Sequence, residues 1–238
     1  MNATTARAAS SCRTPGNRPQ MIRAKPRLGR RVLAALALVA AVPTAASDDF
    51  DMRSADAVNE GALRFLEAPP ANAVHHHENR VRVTAESLRS GWVELEQCHS
   101  HMDAVPRSQI TFREGYVRGL AIDTFSGIGR AWVEGASVQL ENVAPGARLC
   151  LSARTRALRN TGNGYYSLSH GPYMRKFLDG YYPMHVTLDV TYPAAQLRLL
   201  DVSPERQPGF AHDEAPGRVK LDTHFEGELR LVFQFEHR

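Results

Sequence analysis

From residue 79 onward, apolar residues return at every second position. VRV (81–83) and VELE (93–96) open the series. ITF (110–112), YVRGLAI (116–122), RAWVEG (130–135), SVQLENV (137–143), RLCLSA (148–153), HVTLDVTY (185–192) and QLRLLDV (196–202) continue it. A strand sends successive side chains to opposite faces, so this alternation predicts strands with one buried and one wet face. The chain closes with VKLDTHFEGELRLVFQF (219–235), where Val219, Leu221, Thr223 and Phe225 share one parity, as do Leu229, Leu231, Phe233 and Phe235. Glu226-Gly227 between them reads as a hairpin turn, and Pro193 with two alanines as a second. Short strands punctuated by Gly, Pro and Asn predict an all-β chain, an antiparallel β-sandwich of about ten strands.

Two short stretches break the period. Ser54 can cap a helix whose apolar positions are Ala57, Val58, Ala62, Leu63, Phe65 and Leu66, stopped by Pro69-Pro70. PPANAVHHHENR (69–80) then reads as a linker into the first strand. Further on, Pro172 and Gly180 bracket YMRKFLD (173–179), which predicts one or two helical turns forming a lid over the sheet. The expected organisation is residues 1–46 as a signal peptide, 47–78 as helix and linker, and 79–238 as the sandwich.

The signal peptide follows from residues 1–46. Eight basic residues and no acidic ones precede VLAALALVAAV (32–42), and PTAAS follows. A basic region, a short apolar run and a small-residue cleavage site mark secretion. Thr44 and Ala46 occupy the −3 and −1 positions for cleavage after Ala46. Met21 would give a basic region of ordinary length and is the expected start. Eleven apolar residues are too few to cross a bilayer core of about 30 Å. No membrane span is expected after cleavage.

Cleavage changes the charge. The whole chain carries 29 basic and 25 acidic residues, or +4. Losing eight basic residues leaves 21 against 25, or −4, so a nucleic-acid partner loses its electrostatic support. Arginine far outnumbers lysine, of which only Lys25, Lys176 and Lys220 are present. With the signal peptide, that bias points to a Gram-negative periplasm.

Cys98 and Cys150 remain after cleavage, and in an oxidising compartment they predict one disulfide. Glu94 and Glu96 share the parity of Cys98, and Arg148 and Ser152 that of Cys150. The bridge is therefore expected on the outer or rim side of a sheet, as a staple and not a core pin.

Five of the ten histidines lie in two clusters. His99 and His101 are spaced i, i+2, which places two imidazoles on one strand face, and neutral imidazole suits zinc and copper. Asp103 can add an oxygen, and His75, His76 and His77 can supply further ligands if the clusters meet. The plainer reading is a strand end with exposed histidines. In HGPYMRKFLDGYYPMHV (170–186), Tyr173, Arg175, Lys176, Tyr181 and Tyr182 combine aromatic faces with cations, as recognition surfaces do.

No nucleophile elbow, zinc-protease helix, phosphate loop or dinucleotide fingerprint occurs, so no catalytic residue is assigned. EQCHSHMDAVP and GPYMRKFLDGYYPM resemble stretches of uncharacterised secreted proteins of proteobacteria, which supports export and implies no mechanism. Three readings remain. The first is a non-catalytic periplasmic module binding a protein or envelope component through residues 170–186. The second is a periplasmic zinc or copper protein using His99 and His101 with the 75–77 run. The third is a carbohydrate-active or hydrolytic enzyme, for which Glu94, Glu96, Asp103 and Asp179 offer carboxylates.

Overall fold

The computed structural model describes residues 61–238, inside a compact unit spanning Phe50–Arg238. The expected signal peptide and most of the expected N-terminal helix lie outside the described residues. The elements are β1 (Arg64–Leu66), β2 (His76–Arg82), α1 (Ala85–Ser90), β3 (Val93–Met102), β4 (Val105–Thr111), β5 (Val117–Glu134), β6 (Ser137–Thr155) and β7 (Leu158–Gly162). They continue with β8 (Tyr165–Tyr173), β9 (Arg175–Phe177), β10 (Gly180–Tyr182), β11 (Met184–Thr191), β12 (Leu197–Ser203), β13 (His212–Ala215), β14 (Arg218–Glu226) and β15 (Leu229–His237).

The larger sheet runs β1-β14-β11-β2-β3-β6-β4, with β13 also on β14 and β5 also on β6. The smaller runs β12-β15-β8-β7, and β9 with β10 forms a separate ribbon. The pairing of β2 with β11 is parallel, and the other ladders are antiparallel. Alternation explains the packing. Val81, Leu95, Val186, Leu188, Leu221 and Phe225 of the larger sheet share one buried cluster with Leu168, Leu197, Leu231, Phe233 and Phe235 of the smaller. Each such side chain stabilises the fold by about 1.5–3 kcal/mol on burial. A second cluster, including Met102, Val138, Leu140 and Leu149, lies along β3 and β6.

The β-rich class is as expected, and several details differ. Fifteen strands form among the described residues instead of about ten. Both expected hairpins are crossings between sheets: β14 and β15 flank Glu226-Gly227 but pair in different sheets, and so do β11 and β12 around Pro193. Periodicity assigns a strand its faces but not its partners. At Gly227 (φ 88°) a Cβ would meet the Ala62 carbonyl oxygen at 2.2 Å, so the crossing requires glycine.

The helical lid is instead the β9–β10 ribbon. Its register sets Arg175 opposite Tyr182 and Lys176 opposite Tyr181. The Lys176 ammonium lies 5.1 Å from the Tyr181 ring centre, a cation–π contact that a helix would not make between these positions. Of the expected N-terminal helix, the described end is a strand: Arg64–Leu66 pairs with β14, and Phe65 stacks on Phe210 at 4.6 Å. The helix that does form, α1, is held by a reciprocal capping box between Thr84 and Ser87 and by Gly91 in the left-handed region.

Cys98 and Cys150 sit directly opposite on β3 and β6 and are disulfide-bonded, 52 residues apart in sequence. Their strand neighbours Leu149 and Leu151 are fully buried on the other face, so the bridge is an outer staple as the parity implied.

Candidate metal centre

The histidine run 75–77 does not lie in a linker. It enters β2, between β3 and β11, and alternation there sends His77, Asn79 and Val81 inward and Glu78 and Arg80 outward. On β3, Gln97 and His99 share the inward parity of Val93 and Leu95. Register places His77 opposite His99 and Asn79 opposite Gln97. One end of an aliphatic core is thus lined with polar side chains.

His75 completes the group. Its carbonyl accepts the His185 amide at 3.0 Å, which extends the β2–β11 ladder by one residue and keeps His75 on the same parity as His77. His75 Nε2 lies 3.2 Å from His99 Nδ1. The His77 and His99 rings are 3.8 Å apart, edge to face. Each of His75, His77 and His99 offers a ring nitrogen within 4.8 Å of the others.

The electrostatics favour neutral, ligand-ready imidazoles. Burial, opposed by nearby Asp103, pushes His75 down to about 4. Burial and then the neighbouring His99 hold His77 well below the usual histidine range, and burial followed by His75 does the same for His99. His99 is 1 % exposed, and its Nε2 has no hydrogen-bond partner within the protein. Asn79 Oδ1 and Gln97 Oε1 are also unpartnered, although Gln97 Nε2 reaches His77 Nδ1 at 3.4 Å. An unsatisfied buried polar atom costs about 1–3 kcal/mol, and ordered water satisfies such atoms as well as an ion does. A zinc ion with Zn–N bonds of about 2.0–2.1 Å in tetrahedral geometry holds its nitrogens about 3.3 Å apart. The His75–His99 separation fits that requirement, and the triad can bind a metal such as zinc.

Tyr173 and His170 wall the site on the β8 side. The Tyr173 ring meets His77 at 5.6 Å, and its hydroxyl shares a hydrogen bond with His170 Nδ1 at 2.5 Å. Burial lowers His170 to about 4, which leaves it neutral. On the other side, Arg175 of the ribbon grips Asp103 with two hydrogen bonds, 2.8 and 2.5 Å. That guanidinium holds the Asp103 carboxyl below its ordinary value.

The six residues expected around a metal therefore separate. His75, His77 and His99 converge. His76 faces outward on β2. The β3–β6 ladder shifts register between His99 and Met102, and His101 adopts φ 52° and is exposed while Met102 turns inward. That irregularity splits the i, i+2 pair. Asp103 is committed to Arg175. Of the expected recognition residues, Tyr173 is 3 % exposed and belongs to the core, whereas Arg175, Lys176, Tyr181 and Tyr182 lie on the ribbon. Glu94 pairs with Arg82, Glu96 with Arg80, and Asp179 accepts from the Tyr182 hydroxyl.

A second group went unread in the sequence. His185, Asp222 and His224 also bring donor atoms within 4.8 Å of one another, on the outer face of β11 and β14. Nothing local joins residue 185 to residue 224; only the β11–β14 pairing does.

No family model matches the chain, and no curated protein matches it. Among solved structures, an M1 zinc metallopeptidase mutant from Deinococcus radiodurans bound to a Tyr-Ser-Ala substrate is similar at 13 % identity and TM-score 0.41, covering 75 % of this chain and 43 % of that one. The same peptidase without the mutation gives 14 % identity and TM-score 0.37, again with 75 % and 43 % coverage. This chain thus spans less than half the length of those enzymes, and likeness at this level assigns it nothing.

Proposed function

We propose that this chain is an exported, periplasmic metal-binding protein that holds zinc or copper at His75, His77 and His99. The observation that carries the reading is the convergence of His75, His77 and His99, whose ring nitrogens lie within 4.8 Å of one another, with His75 Nε2 3.2 Å from His99 Nδ1. The disulfide and the basic–apolar–small pattern of residues 1–46 support export. Three protein nitrogens leave a fourth position for water or a substrate, as in open zinc sites, and neither described cysteine offers a thiolate because Cys98 and Cys150 are bridged. Gln97 orients His77 through its amide contact with Nδ1. The test is equilibrium dialysis of the purified chain against zinc and copper, with metal analysis. One tightly held ion that His99→Ala abolishes supports the reading; equal retention by both proteins overturns it.

A second reading concerns the ribbon. Leu178 at its tip is fully exposed, beside exposed Phe177 and Tyr182. Such a tip suits recognition of a protein or envelope component. Leu178→Asp with Lys176→Ala should remove a crosslinked periplasmic partner, and an unchanged crosslinking pattern would refute this.

A further inference from the structure

Three adjacent strands place a histidine at the same level on the outer face. His76 on β2 pairs with His185 on β11, and His185 pairs with His224 on β14. Their rings form a continuous stack, with centres 3.8 Å and 4.0 Å apart and planes inclined by 15° and 10°. His185 Nε2 lies 2.7 Å from Asp222 Oδ1, and His76 Nε2 bonds Thr187 Oγ1 at 2.9 Å. Stacking alone stabilises a cross-strand pair modestly, and any aromatic row would supply it. A row of imidazoles with a carboxylate supplies something more, which is a nitrogen and oxygen donor set fixed on rigid strands.

We propose that His185, Asp222 and His224, with His76 beside them, form a second metal site on the outer face of the sheet, selective for a divalent transition ion such as zinc. The donor atoms of the first three already lie within 4.8 Å of one another, close enough for side-chain rotation to bring them onto one ion. The carboxylate supplies negative charge that the buried triad lacks. Access is open, because Asp222 also lines a groove of about 610 Å³ that runs along Glu78, Thr187, Asp189 and Lys220. A hydrated ion can enter there without the sheet opening. The two sites share strand β2, and His76 stands between His75 and His77 in sequence while facing the other way. The chain accordingly takes two ions, one buried and one exposed.

The test is native mass spectrometry of the metal-stripped chain with excess zinc, for the unmodified protein, for His185→Ala with His224→Ala, and for His77→Ala with His99→Ala. Circular dichroism checks folding of each, and His224→Gln serves as a gentler outer variant. The expected result is two zinc ions on the unmodified chain and one on each double variant. A single ion that the outer substitutions leave in place and the inner ones remove overturns the second site while leaving the buried triad intact. A single ion lost only with the outer substitutions supports the second site and removes the triad. A chain that takes no zinc overturns both.

Discussion

The two faces of one sheet end make different environments from the same residue type. On the inner face, His75, His77 and His99 are wrapped by aliphatic and aromatic side chains, and Tyr173 closes one side. On the outer face, His76, His185 and His224 stack in the open beside Asp222. Both sets are brought together by strand register and neither by sequence proximity alone. The difference lies in the surroundings. Inside, burial holds the imidazoles neutral. Outside, Asp222 bonds His185 and Thr187 bonds His76. A metal on the inner face meets buried neutral imidazoles, whereas one on the outer face competes with those contacts.

The largest effect that would break this contrast is on binding. His77→Ala should abolish the slowly exchanging ion, while His224→Ala should leave it in place, as read by metal content after brief chelation. Comparable losses from the two would erase the distinction between faces.

The staple behind the inner site comes next. Cys98 adjoins His99, and its bridge closes a 52-residue separation. Cys98→Ala with Cys150→Ala should lower stability by about 4 kcal/mol in the chain-entropy model, measured by denaturant unfolding of the metal-free chain. A loss under about 1 kcal/mol would show that the ladder alone fixes β3 against β6.

Orientation of the triad is a smaller effect. Gln97→Leu removes the contact to His77 Nδ1 and should weaken zinc binding by about 10–100-fold without unfolding the chain. Unaltered affinity would leave Gln97 as a core residue only.

The smallest effect is the pH dependence of the metal-free chain. His75 and His170 have pKa values lowered to about 4, and His77 and His99 are also lowered, all chiefly by burial. Below 6.5 the unfolded chain binds protons that the folded chain refuses. Stability is therefore level above pH 6.5 and falls as pH drops from 6.5 toward 4. His77→Leu should make that fall shallower while His75, His99 and His170 keep the rest of it, and a fall left unchanged would show that His77 does not contribute.

Part of the inner site left a trace in the sequence, in a parity that the linker and strand-end readings passed over. The parity of Val93 and Leu95 runs on through Gln97 to His99, and that of Val81 back through Asn79 to His77. Polar residues on an apolar parity announce a buried polar cluster. The same rule placed the disulfide outside. It could not show that β2 lies between β3 and β11, because pairing is a tertiary choice. Nor could it show the register shift that turns His101 away from His99. The ribbon at 175–182 and strand β1 were misjudged because their partners, each other and β14, outweigh a weak local helical pattern.

The central claim is that an ion sits among His75, His77 and His99. Anomalous diffraction from crystals of the zinc-loaded chain, collected on either side of the zinc edge, addresses it directly. The account predicts a strong peak with nitrogens of all three histidines at about 2.0–2.1 Å. Zinc found elsewhere, with no peak among the three histidines, would contradict it.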